Sequence, residues 1–248
     1  MPTLIPYERQ DGRLSAFDRW RVSLNAVSLR LAALRPARRK ADVLDDLQAL
    51  ACIHPPTDEL SNRAWHFAQS CQPPWLLQHA LRTYAWARLL AHKDGIPHEV
   101  ETVFAAALLH DVGLTQAAAD PVDGCFAVRG ARAAMTFMRE AGASADQANR
   151  VAIAIALHLD LEVSISERGT HAHLLQAGAA LDVVGSRSRE LSRQVRQGVL
   201  DVHPRLGLKQ QLCVCMRREA AASPRSRMGL YVDRFRFPDL IQRAPFDE

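Results

Sequence analysis

The chain has 248 residues, 48% hydrophobic and 23% charged, an ordinary globular composition that permits one large domain or one domain with an extension. No run of about 18 apolar residues marks a transmembrane helix, and the start "MPTLIPYERQDGR" lacks a basic-then-apolar secretory signal; the expectation is a cytoplasmic protein with no membrane partner. The net charge of +4 comes almost wholly from scattered arginines without interleaved aromatics, so no nucleic-acid partner is expected.

Residues 1–55 differ in texture from the rest. "AFDRWRVSLNAVSLRLAALRPARRK" has amphipathic helical spacing but ends in the basic run Arg35–Lys40, which argues for a linker. The domain reading is an N-terminal extension over 1–55, partly helical or loosely packed, followed by a helical domain over 56–248. In that second part apolar residues recur near every 3.6 positions with little strand signal, so the fold class is all-α. Thr57 is expected to cap a helix over 58–71. Pro73-Pro74 breaks the chain, and Asp94-Gly95 closes a second helix over 76–93. "PHEVETVFAAALLHD" reads as a third helix from Pro97 to about Asp111, with Gly113 just beyond. A loop over 115–125 precedes helices over 126–142, 145–160 and 168–188, the last with Gly185 near its end. Three further helical segments lie in "SRELSRQVRQGVLD", "HPRLGLKQQLCVCMRREAAAS" and "MGLYVDRFRFPDL". Five cysteines, an odd number without CxxC spacing, read as reduced core residues.

The polar residues on these apolar helices carry the chemistry. His79 shares a stripe with Leu76, Thr83, Trp86 and Leu90. His110 ends the face formed by Val103, Ala106 and Ala107, and Asp111 lies about 100° further round. Adjacent helical positions are poor partners for each other, but both can reach a third body such as a metal ion. Asp182 in "LLQAGAALDVVG" is a weak helix former whose unpartnered burial would be costly, and Gly178 one turn earlier allows a close helix approach. Two imidazoles and two carboxylates on three packed helices suit zinc, iron or manganese and leave positions open for water.

This His…His-Asp…Asp order in an all-helical chain resembles the HD-domain superfamily of metal-dependent hydrolases. "HALRTYAWARLLA", "AALLHDVGLT", "AIALHLD", "GAALDVVG", "HPRLGLK" and "RFPDLIQRAPFDE" look like its cyanamide hydratase-like branch, over about residues 58–248. The resemblance implies an HD-domain helical bundle with the N-terminal extension outside it. It implies that His79, His110, Asp111 and Asp182 hold a divalent metal, zinc first, with iron or manganese as alternatives. His158 matches a histidine of the branch and would shuttle protons or contact substrate. Its other reading is a histidine at the negative end of a helix dipole. Two departures stand out. Ala80 replaces a serine common in the branch, and no lysine follows His110-Asp111, so the phosphate-contacting lysine of some superfamily members is absent.

The expected reaction is attack by metal-activated water on a small molecule, for instance a nitrile such as cyanamide, with Asp111 or His158 moving protons. Thr83, Leu109 and Leu114 would line the pocket. A competing reading is a two-metal HD protein, a phosphohydrolase or di-iron oxygenase, with His158 and His171 or His173 at a second ion. His171, 11 residues before Asp182 and ~16 Å away along a helix axis, is expected at the surface instead. A third reading is a non-catalytic scaffold that binds a partner through residues 1–55. Oligomerisation is left open.

Overall fold

A computed structural model describes residues 11–33, 42–118 and 124–248, with the backbone alone for 25–33. Among them the 3.6-residue periodicity becomes thirteen α-helices and no strand: α1 (Ala16–Ala33), α2 (Val43–Ala51), α3 (Glu59–Cys71), α4 (Pro74–Asp94), α5 (Val100–Leu109), α6 (Phe126–Glu140), α7 (Ala145–Leu157), α8 (Ile165–Arg168), α9 (Thr170–Val184), α10 (Arg193–Val202), α11 (Leu208–Ala222), α12 (Arg227–Phe235) and α13 (Phe237–Gln242). The basic run 35–40 and part of the 115–125 loop lie outside the described residues.

Helix ends follow local chemistry. α3 is capped by Asp58 and not by Thr57, because the Asp58 carboxylate accepts the Ser61 N–H at 3.0 Å. Pro74 takes the first turn of α4, where its missing N–H is harmless. Gly95 and Gly185 end α4 and α9 in the left-handed region, as the sequence suggested. The third predicted helix is shorter than expected: α5 starts at Val100 and gives way after Leu109 to a 3₁₀ turn over Val112–Leu114. Gly169, at φ 86°, separates the short α8 from α9, which therefore begins at Thr170. α7 stops at Leu157, leaving His158 at its C-cap.

The architecture is built around α4, which is buried on most of its surface. It packs most extensively on α9 and also against α5, while α6 and α7 pair on the far side of α5. Alanines let these axes approach closely. At Gly178 of α9 a methyl group would overlap the Thr83 carbonyl oxygen and come within 3.0 Å of the Ala87 nitrogen, so glycine fixes the α4–α9 register. α2 packs on α4 and α10, where the buried Asp46 carboxylate accepts from Lys93 Nζ at 2.9 Å and from the Ser192 N–H at 2.6 Å.

Candidate metal centre

His79 faces inward from α4, and its Nδ1 lies 2.7 Å from Asp182 Oδ2. An ionised carboxylate can only accept, so Nδ1 carries the proton and Nε2 keeps its lone pair. His110, the C-cap of α5, is set the same way: its Nδ1 donates to the Ala107 carbonyl at 2.7 Å. His158, the C-cap of α7, donates from Nδ1 to the Ile155 carbonyl at 2.6 Å. Three helices thus present three imidazoles in one tautomer, and all three Nε2 atoms face Asp111. His79 and His110 lie 3.6 and 3.3 Å from Asp111 Oδ2, and His158 lies 3.5 Å from Oδ1. The Nε2 atoms of His79 and His110 are 3.1 Å apart. All four residues are buried.

Lone pairs brought this close need a cation between them. Four-coordinate zinc with bonds of about 2.0–2.1 Å has ligand-to-ligand edges of roughly 3.3 Å. The triangle of His79, His110 and Asp111 has edges of 3.1, 3.3 and 3.6 Å. These three residues also form a group whose ligand atoms all lie within 4.8 Å of one another. The donor set therefore fits a divalent ion.

Without an ion, the site draws His110 toward its protonated form. Burial pulls the pKa of His110 down, but the charge and hydrogen bond of Asp111 outweigh it and raise the pKa above the usual value. Burial depresses His79 despite the help of Asp182. Burial and the neighbouring His110 push His158 down to about 3, so it stays a neutral acceptor. Burial works against ionisation of Asp111, yet the charge and hydrogen bond of His110 hold it well below the carboxylate range.

Asp182 stands behind His79, on the Nδ1 side. Its Oδ1 accepts from Arg82 Nε and Trp86 Nε1, both at 2.8 Å, and its Oδ2 accepts from Arg82 Nη2 at 3.0 Å as well as from His79. Arg205 Nη1 lies 3.2 Å from the Asp182 carbonyl. Both oxygens are fully engaged, on the opposite side of the imidazole from His110 and Asp111. Burial raises the Asp182 pKa, but Arg82 and His79 overcome it and keep the group ionised. Arg82 also ties the chain at its far end, donating to the carbonyls of His203 and Pro204.

Arg82 and Arg205 were not picked out from the sequence, and Trp86 was read there only as part of the stripe that carries His79. Arg82 and Trp86 follow His79 by three and seven residues on one helix, so the spacing carried a signal. The Thr83 hydroxyl is buried one turn beyond His79 with no hydrogen-bond partner. Leu109 is sealed in the core below His110, whereas Leu114, whose N–H bonds the Asp111 carbonyl at 2.9 Å, borders an open cavity. His171 and His173 occupy the first turn of α9, where His173 Nδ1 bonds the Val163 carbonyl at 2.7 Å. Neither belongs to the metal-competent group.

No curated protein matches the chain. Residues 76–177 match the family model HD domain, a span that contains His79, His110, Asp111 and His158, ends before Asp182, and supports placing this segment in the HD-domain superfamily.

Proposed function

We propose that this protein is a metal-dependent hydrolase or hydratase that uses one divalent ion, zinc first, to turn water on a small substrate. The observation that carries the reading is the His79–His110–Asp111 triangle, with its preset tautomers and zinc-sized edges. His79 Nε2, His110 Nε2 and Asp111 Oδ2 would hold the ion. Bound there, it would supply Lewis acidity and a water that ionises near neutral pH.

The protein's own groups do the rest. His158 Nε2, kept neutral by burial, takes the proton of the attacking water only in passing and hands it on to the substrate, with Asp111 Oδ1 3.5 Å away. The Ile155 carbonyl keeps Nδ1–H fixed, so the ring does not turn during the transfer. Asp182 orients His79 and makes its Nε2 a better donor, as a buried carboxylate behind a ligating histidine does. The orphan Thr83 hydroxyl is suited to contact substrate at the closed end of the site. On a nitrile, one water adds across the carbon–nitrogen bond and gives an amide; cyanamide would give urea.

Elemental analysis of purified protein, with a screen of cyanamide, other nitriles, amides and phosphate esters, tests the reading. About one zinc per chain with turnover of a small substrate is expected. A chain that takes up no divalent metal when zinc is supplied would discard it.

A further inference from the structure

α7 ends without the left-handed glycine that closes α4 and α9, because His158 at its C-cap keeps right-handed helical angles. The carbonyls of its last turn therefore need partners of another kind. The Ile155 carbonyl takes the His158 Nδ1–H at 2.6 Å, and the Leu157 carbonyl takes the Asp160 N–H at 2.7 Å. The Ala156 carbonyl is met from α12, where Arg227 Nη2, 71 residues further along the chain, donates to it at 2.5 Å. Arg227 Nη1 donates to the Asp160 carboxylate at 2.6 Å. One planar guanidinium thus spans His158, from two residues before it to two residues after.

Arg227 is fully buried. Burying a guanidinium is costly, and here a carboxylate and a helix C-terminus, both of which favour a cation, offset the cost. Its own backbone is pinned: Ser226 Oγ caps α12 by accepting the Gly229 N–H at 3.1 Å, and the Arg225 carbonyl accepts from the Leu14 N–H at 2.8 Å. One turn further on, the Tyr231 hydroxyl donates to the Leu159 carbonyl at 2.6 Å. One face of α12 therefore holds residues 156, 159 and 160, on both sides of His158. The contact of the ring with Ile155 is internal to α7 and fixes only its tautomer. Where the turn sits against the rest of the site depends on α12, which lies outside residues 76–177, the segment that matches the HD domain.

Resting on the hydrolase reading above, we propose that α12 completes the active centre: Arg227, supported by Tyr231, is the positioning residue that sets the His158 imidazole against Asp111. The relation it maintains is the 3.5 Å approach of His158 Nε2 to Asp111 Oδ1. Lysine does not replace it, because a point charge lacks the planar fork that joins Ala156 to Asp160.

The zinc-loaded protein, with its histidines labelled with nitrogen-15, is compared with Arg227→Lys and Tyr231→Phe. Proton–nitrogen correlation spectra report the Nδ1–H of each buried imidazole, and the His158 signal is identified by its loss in His158→Gln. In Arg227→Lys the His158 signal should move or broaden, while the His79 and His110 signals stay in place and one zinc per chain is kept. On the compound of the screen above that is turned over fastest, kcat should fall about 10²-fold with KM within about twofold of wild type. Tyr231→Phe, which removes one hydroxyl, should show the same pattern with a smaller loss, and it decides the question if Arg227→Lys does not fold. An unmoved His158 signal, a shift of all three histidines together, or an unchanged kcat would overturn the proposal. A His158 signal that moves alone, in a protein that turns over none of the compounds, would remove the hydrolase reading and leave the hold of Arg227 on His158 standing.

Discussion

Asp182 Oδ2 sits 2.7 Å from His79 Nδ1, on the side of the ring turned away from His110 and Asp111. One imidazole thus joins two different neighbourhoods. Its Nε2 faces a cluster of lone pairs, and its Nδ1 faces a carboxylate held by Arg82 and Trp86. The two carboxylates of the site are divided by this ring, Asp111 on its Nε2 side and Asp182 on its Nδ1 side.

That division separates two substitutions. Asp111→Asn is expected to abolish stoichiometric metal binding. Asp182→Asn is expected to keep one metal per chain with affinity lowered about 10–100-fold. The visible spectrum of the cobalt-substituted protein reports ligand number, and it should be unchanged in shape for Asp182→Asn. A changed coordination spectrum there would make Asp182 a ligand.

His158→Gln separates proton transfer from metal binding. The variant should bind zinc in the wild-type amount and lose about 10²–10⁴-fold in kcat. Loss of the metal together with the activity would show that His158 is a ligand and not the base.

Zinc binding should depend on pH through His110. In the metal-free protein its pKa is raised, so the proton on Nε2 must leave before the ion enters. Below that pKa apparent affinity falls about tenfold per pH unit, as linkage of one proton requires; above it this dependence ends. The raised pKa also stabilises the metal-free fold, fully below the unfolded value of 6.5 and progressively less as pH rises through the folded value. The increase in Tm on adding zinc should therefore be larger at pH 8 than at pH 6. Calorimetry in buffers of different ionisation enthalpy would show proton release at pH 6, and its absence would refute the account.

Gly178→Ala should lower stability by about 1–3 kcal/mol, since the added methyl meets α4 backbone and not a flexible side chain. The same displacement would loosen the His79–Asp182 contact. Zinc affinity should fall with Tm, although no ligand is altered. Unchanged affinity would show that the α4–α9 register does not set the ligand position.

Lys93→Met removes one half of a buried ion pair and leaves Asp46 uncompensated between α2, α4 and the start of α10. A loss of about 3–5 kcal/mol is expected in urea unfolding monitored by circular dichroism. A loss below 1 kcal/mol would mean that α2 contributes little to the stability of the helical body.

The all-α fold was legible in the sequence because apolar spacing, Pro74 and the stops at Gly95 and Gly185 act locally. The inward set of His79, His110 and Asp111 was legible as well, since imidazoles and carboxylates on apolar stripes cannot be buried without partners. The expected cap at Thr57 gave way to its neighbour Asp58, whose carboxylate reached the free N–H group. Arg82 escaped notice because a long basic side chain on a helix normally reaches solvent. Its burial depends on an aspartate 100 residues away.

By itself, then, the sequence determined which groups could bind an ion and the helices that carry them, because helical phase is a local property. Only the tertiary structure decided which side of His79 each carboxylate occupies, and that Arg82 and Trp86 turn in to hold Asp182 there. Those outcomes depend on helix rotation and register over a few ångströms. That register is set by close approaches such as Gly178 against Thr83, which no periodicity along the chain records.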